Sequence, residues 1–150
     1  MKVKRQIEVL LVEDNPGDVR LMIEAFRETN GSIVFHVATD GVEAMDFLQR
    51  KAQFAGAPRP DLILLDLNLP RMDGREVLAR IKSDSDLRLI PTIILTSSES
   101  HADVQTGYSL NANCYLKKPV QLDVFESLVR SINEFWLTNA ILPHSRTDDR

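Results

Sequence analysis

Four apolar runs punctuate the chain, at residues 7–12, 33–37, 62–65 and 92–95, and a weaker fifth follows at 114–116. Three of them are continuous rather than alternating, the pattern of strands covered on both faces of a parallel sheet. Between them run stretches with helical periodicity, at 18–28, 42–49, 75–82 and 102–109, and a last and longest one at 122–137. Five strands alternating with five helices predict an α/β fold, with one five-stranded parallel sheet doubly wound by helices on both faces. No internal repeat or low-complexity segment interrupts the alternation. The longest connection, 51–60, carries Gly56, Pro58 and Pro60 and reads as a surface loop without chemistry of its own.

Composition narrows the setting without changing the architecture. At 150 residues the chain holds one well-buried core and is too short for two ordinary domains. Hydrophobic residues at 43% and charged residues at 27% give the balance of a soluble globular protein. A net charge of −4 argues against a nucleic-acid partner held through phosphates, which needs a basic face. The dense basic stretch, Lys2, Lys4 and Arg5, reads as a short charged tail before the first strand. Cys114 stands alone, so no intramolecular disulfide forms, as suits a reducing compartment. The first apolar run is broken by Glu8 and halted by Glu13 and Asp14, too short for a signal-peptide core or a membrane span. The expectation is a cytoplasmic protein that does not engage a membrane.

In an open parallel sheet ligands gather beyond the carboxyl ends of the strands. Glu13 and Asp14 follow the first run, Asp66 the third, Thr96 the fourth, and Lys117 and Lys118 the fifth. Two turns rich in Pro and Gly, Asn15-Pro16-Gly17 and Met72-Asp73-Gly74, read as lifting the chain away from these acids. Three carboxylates at one edge repel unless a cation joins them, and a few carboxylates with waters and phosphate oxygens suit Mg2+. An ammonium and the Thr96 hydroxyl beside that metal complete a set that neutralises a transferring phosphoryl group. Taken singly, an acid at a strand end is commonly a helix N-cap, and Thr96 an ordinary strand-end residue. Their conjunction at the ends of different strands, on one side of one sheet, is what points to phosphoryl chemistry.

These segments identify a resemblance. Leu11-Val12-Glu13-Asp14-Asn15, Leu65-Asp66-Leu67-Asn68-Leu69-Pro70 with Met72-Asp73-Gly74, Ile94-Leu95-Thr96-Ser97 and Tyr115-Leu116-Lys117-Lys118-Pro119 resemble the response-regulator receiver family, flavodoxin-like and CheY-like in fold. The intervals between Asp66, Thr96 and Lys118 also match. The resemblance covers 7–138, leaving 1–6 as a tail and 139–150 as an extension. It implies that Asp66 accepts a phosphoryl group from a histidine kinase. It further implies that Glu13, Asp14, Asp66 and the backbone carbonyl of Asn68 hold one Mg2+. The lysine role falls on Lys118, directly before Pro119, while Lys117 alternates to the other face of its strand. The family's cis Lys-Pro bond is expected at 118–119, aiming Lys118 into the pocket.

The same resemblance implies a switch. Phosphate on Asp66 recruits Thr96, and Tyr115 turns from exposed to buried, reshaping the surface of the fourth helix, fifth strand and fifth helix. The plain alternative for Tyr115 is a half-buried strand residue with a wet hydroxyl. Asn68 and Ser98 occupy the positions that tune phosphate lifetime. A single-domain receiver is expected, read through its own surface rather than an attached effector, and not itself an enzyme beyond self-catalysed phosphotransfer and dephosphorylation. On the last helix Val124, Phe125, Leu128, Val129, Ile132, Phe135 and Trp136 span about 140° at 100° per residue, and Leu122 widens the arc to about 160°. Leu137 and the 141–143 segment add apolar surface nearby. Either the tail folds back over this face, or Val124, Leu128, Phe135, Trp136 and Leu137 form a partner or homodimer contact. Stretches 40–48, 58–62, 113–115 and 135–137 are most similar to small receivers served by cyanobacterial phytochrome kinases, which implies a light-responsive donor and a homodimer.

Three other readings fit less well. Aspartyl phosphatases carry the nucleophile on the first strand with a second Asp two residues on, whereas here Asn68 stands at that place. A flavodoxin-like redox carrier is disfavoured by the acidic first loop, which repels a flavin phosphate. A constitutive adaptor keeps the fold but ignores phosphate, and the complete set of pocket residues argues against it.

Overall fold

The computed structural model describes residues 6–29 and 31–143. The basic residues of the N-terminal tail and the end of the C-terminal extension, 144–150, lie outside the described residues. Strands β1 (Ile7–Val12), β2 (Ile33–Ala38), β3 (Leu62–Leu65), β4 (Thr92–Thr96) and β5 (Cys114–Lys117) form one parallel sheet in the order β2-β1-β3-β4-β5. Every residue of β3 and β4 is buried, whereas the edge strands β2 and β5 are mostly half-buried. Helices α1 (Pro16–Thr29), α2 (Gly41–Gln49), α3 (Gly74–Ser83), α4 (His101–Ser109) and α5 (Leu122–Glu134) complete the alternation.

Strand geometry divides the core in two. Successive side chains point to opposite faces, so Leu10, Val12, Ile63 and Leu65 meet α2 and α3 through Met45, Phe47, Val77, Leu78 and Ile81. Val9, Leu11, Leu62 and Leu64 meet α1 and α5 through Met22, Phe26, Phe125, Val129 and Ile132. Each such side chain contributes roughly 1.5–3 kcal/mol when fully buried, against typically about 1 kcal/mol for a helix cap. The sheet is therefore held by its central strands, and the caps set where each helix begins.

Those caps correct the expected turns. Pro16 opens α1, where its missing N–H costs nothing, and the Asn15 side chain accepts from the Asp18 amide at 3.1 Å. Asp73 caps α3 by accepting from the Arg75 amide, and Asp40 caps α2 by accepting from the Glu43 amide. Pro16 and Gly17 thus belong to the first turn of α1, whereas Met72 and Asp73 form the expected turn and hand over to α3 at Gly74. At two of these starts a side chain has no room. A Cβ on Gly41 would lie 2.0 Å from the Met72 carbonyl oxygen, and one on Gly74 2.2 Å from that of Asp66.

Two further expectations change. The 51–60 connection contains a 3-10 turn, Ala52–Phe54, whose Phe54 ring packs edge-on against Phe47 at 5.5 Å. The last helix ends at Glu134 and widens into a π-helical turn, Phe135–Asn139, closed by Ala140 N–H donating to the Phe135 carbonyl at 2.7 Å. The wider turn rotates Leu137 inward, and both Leu137 and Leu142 join the core beneath α1 and α5. The chain following α5 therefore folds back as far as Leu142.

Candidate functional site

The strand register assembles the site. Val12 pairs with Leu65, and the Asp66 amide donates to the Val12 carbonyl at 3.0 Å, which sets Glu13 and Asp66 side by side. Leu65 pairs with Ile94, so Thr96 closes β4 two residues further on. Thr96 pairs with Lys117, and the Lys118 amide then donates to the Thr96 carbonyl at 2.7 Å. Of the residues singled out from sequence, Glu13, Asp14, Asp66, Thr96 and Lys118 come together here. Lys117 turns outward to pair with Glu99 at 3.0 Å, as strand alternation requires.

Asp66 is buried and receives donors on both oxygens. The Thr96 hydroxyl donates to Oδ1 at 2.8 Å and the Asn68 amide to the same oxygen at 3.2 Å. Lys118 Nζ donates to Oδ2 at 3.1 Å, to Glu13 Oε1 at 2.5 Å and to Asp18 Oδ2 at 3.0 Å. Asn68 itself is exposed beside Asp66. The Lys118–Pro119 bond is trans, contrary to expectation, since no cis peptide occurs among the described residues. The trans isomer is the lower in energy for an X-Pro bond, and the four-carbon lysine stem reaches the acids without the other.

One carboxylate oxygen each from Glu13, Asp14 and Asp66 lies within 4.8 Å of the others. With Asp18 that makes four acids around one ammonium, an excess of negative charge. Burial pushes the Glu13 carboxyl above its ordinary range, and the charge of Asp66 adds to the rise while Lys118 opposes it. Burial alone would lower the Lys118 ammonium, but its bond to Glu13 and the charge of Asp66 outweigh this and hold it above the usual lysine range. Oxygen donors with uncompensated charge are the setting a hard divalent cation fits.

Tyr115 stands half-buried against Gly107 and the core, its hydroxyl donating to the Ser98 carbonyl at 2.8 Å. The hydroxyl is therefore bound to protein in the inward position rather than left to water. Ser98 is engaged twice, since its own hydroxyl donates to Asp103 Oδ2 at 2.5 Å. Asp103 in turn accepts from Arg75 at 2.6 Å, and Arg75 also holds Asp73.

Away from the pocket, exposed Phe135 and half-buried Leu128 and Trp136 line a groove of about 490 Å3 between β5 and α5, whereas Val124 is exposed outside that lining. Leu137 leaves this face: only 7% exposed, it lies in the core because of the π turn. Sequence reading also missed Asp18, although it falls one helical turn after Asp14 on a helix aimed at the same edge. The Arg75–Asp103 pair had no signal in spacing. No described helix is long and apolar enough to cross a membrane.

Comparison with known proteins places the arrangement. The model of the response regulator receiver domain matches residues 9–130. Response regulator Rcp1 of Synechocystis sp. is 45% identical over 135 residues, covering 90% of this chain and 92% of that protein. The crystal structure of the phosphorylated cyanobacterial phytochrome response regulator RcpA superposes with a TM-score of 0.90 at 45% identity, covering 93% of this chain and 99% of that one. The Mn2+-bound form of Rcp1 does so with a TM-score of 0.88 at 45% identity, covering 92% and 99%.

Proposed function

The chain belongs to the response regulator receiver domain family, and on that premise we propose that Asp66 is its phospho-acceptor. The carrying observation is the convergence of the Thr96 hydroxyl, the Asn68 amide and the Lys118 ammonium on the two oxygens of Asp66, beside three clustered carboxylates. Phosphorylation of an aspartate by a histidine kinase is typical of this family, and its members act as signalling switches. A carboxylate oxygen of Asp66 forms the new P–O bond as the donor's P–N bond breaks, and the electron pair returns to the imidazole. Lys118 then exchanges Asp66 for a phosphoryl oxygen, and Thr96 and the Asn68 amide follow. Glu13, Asp14, Asp66 and the Asn68 carbonyl are the residues that would hold Mg2+, which supplies charge neutralisation for the transferring group. The charge excess of the pocket supports this, as does the Mn2+ in the similar Rcp1 structure. Asn68 and Ser98 tune the phosphoryl lifetime.

The cognate donor in this reading is a phytochrome-type kinase, supported by 45% identity to the phytochrome response regulator RcpA. Output passes through Tyr115 and the surface of α4, β5 and α5. Leu128, Phe135 and Trp136, which line an open groove there, and the exposed Val124 form a homodimer contact on that surface.

Incubation with acetyl phosphate tests the acceptor. Intact mass is expected to rise by about one phosphoryl group in Mg2+ but not in chelator, and Asp66→Asn is expected to show no gain. Modification of Asp66→Asn to the same extent would place the acceptor elsewhere. For the dimer, sedimentation of Phe135→Asp is expected to show monomer where the wild type self-associates, and an unchanged distribution would remove this face from the contact.

A further inference from the structure

The two loops that flank Asp66 are tied together by a bridge with no part in binding the phosphoryl group. On the β3–α3 side, Arg75 grips its own helix cap, with Nη1 3.1 and 3.0 Å from the two oxygens of Asp73. The adjacent Gly74 seats this helix start directly on the Asp66 and Leu67 backbone. On the β4–α4 side, the other Arg75 nitrogen reaches Asp103 Oδ1 at 2.6 Å, and Asp103 Oδ2 accepts from the Ser98 hydroxyl. Ser98 lies two residues beyond Thr96, and its carbonyl receives the Tyr115 hydroxyl at 2.8 Å. Ser100 continues the lock, capping α4 by accepting from the Asp103 amide at 3.2 Å while its own amide donates to Ser98 Oγ at 3.3 Å.

We infer that Arg75 and Asp103 are positioning residues that hold the β4–α4 loop in the inward arrangement, in which Thr96 reaches Asp66 and the Tyr115 hydroxyl is bound to the Ser98 carbonyl. The inference rests on the receiver reading above and adds to it a determinant outside the acceptor pocket. The two carboxylate oxygens of Asp103 are divided, Oδ2 to Ser98 of the β4–α4 loop and Oδ1 to Arg75 at the start of α3, so one side chain joins both segments. The charge balance agrees: the Ser98 hydroxyl and Arg75 hold the Asp103 carboxyl below its ordinary range, and Asp103, against burial, raises the Arg75 guanidinium. Charge-assisted hydrogen bonds of this kind are about twice as strong as neutral ones. A bridge present before phosphorylation biases the two-state equilibrium toward the phosphoryl-ready state, and its removal lowers that population.

The experiment compares wild type with Arg75→Ala, Asp103→Asn and the double variant, using Arg80→Ala as a control that breaks only the surface pair with Glu76. The readouts are the rate of phosphorylation by acetyl phosphate in Mg2+, followed by mass, and the 19F resonance of Tyr115 in 3-fluorotyrosine protein, assigned with Tyr115→Phe. Each bridge variant is expected to be phosphorylated about three- to tenfold more slowly, the double variant no slower than the worse single, because a single equilibrium is shifted. Its Tyr115 resonance is expected to move toward an exposed environment before phosphorylation and to return afterwards. Rates within twofold of the control, or a lowered Tm with an unmoved Tyr115 resonance, would overturn the inference and leave the bridge a purely structural tie. Absence of any phosphorylation in wild type is a separate failure, that of the receiver reading. The Tyr115 resonance still decides on the bridge in that case.

Discussion

Lys118→Met is expected to slow phosphorylation of Asp66 by acetyl phosphate by about two to three orders of magnitude, the typical cost of removing one preorganised donor from a developing anion. The ammonium binds Glu13, Asp18 and Asp66 at once, and none of these three acids has another ion-pair partner among the described residues. Methionine keeps the length of the stem and removes the charge, so packing around Pro119 is preserved. A second effect of opposite sign identifies the cause. Without the ammonium the acids repel each other more strongly and bind a divalent cation more tightly, so Mg2+ should raise the Tm of the variant further than that of the wild type. Mass spectrometry for the rate and differential scanning calorimetry with and without Mg2+ read the two effects. A variant phosphorylated at the wild-type rate, or one indifferent to Mg2+, would show that the charge of Lys118 is not what the pocket uses.

Gly74→Ala is expected to be among the most destabilising single substitutions in the molecule, by about 3 kcal/mol or more, in the range reached by forced overpacking. The added methyl would stand 2.2 Å from the Asp66 carbonyl oxygen and 2.6 Å from the Leu67 Cα. Both are backbone atoms of the segment that carries the acceptor, so relief requires moving Asp66 itself. Urea denaturation should report the lost stability, and the variant should lose phosphorylation even at temperatures where it remains folded. Gly56→Ala is the control, since nothing lies within 4 Å of its Cβ position and no glycine has positive φ. There the smaller entropy of the unfolded chain favours alanine, with a gain of about 0.4–1 kcal/mol. Equal behaviour of the two variants would refute the close-approach argument.

The strands and the clustering of the pocket residues were legible because both follow from one-dimensional patterns. Continuous apolar runs located the buried strands, and the residues just past each run located Glu13, Asp66, Thr96 and Lys118. Helix starts were less legible. Asn15-Pro16-Gly17 has the composition of a turn, yet a Pro at the first helical position and an Asn before it are equally a helix opening, and packing decides between them. The π turn was not legible, since the apolar spacing at Phe135, Trp136 and Leu137 suits a continuing α-helix as well, and the Ala140 amide's choice of the Phe135 carbonyl is not written in that spacing. Asp18 and the Arg75–Asp103 bridge depend on side chains from distant segments meeting in three dimensions. No periodicity encodes that meeting. The isomer of the bond before Pro119 is likewise a tertiary choice.

The sheet order has a consequence for how the molecule is made. Glu13 lies near the start of the chain, yet the ammonium that pairs with it lies 105 residues later, just past a strand at the edge of the sheet. A chain emerging from the ribosome can form β1, β3 and their acids well before Lys118 has been translated. Until the fifth strand pairs with β4, Asp66 lacks the Lys118 ammonium, and on the proposed reading a chain truncated before Lys118 is expected to accept phosphoryl groups poorly.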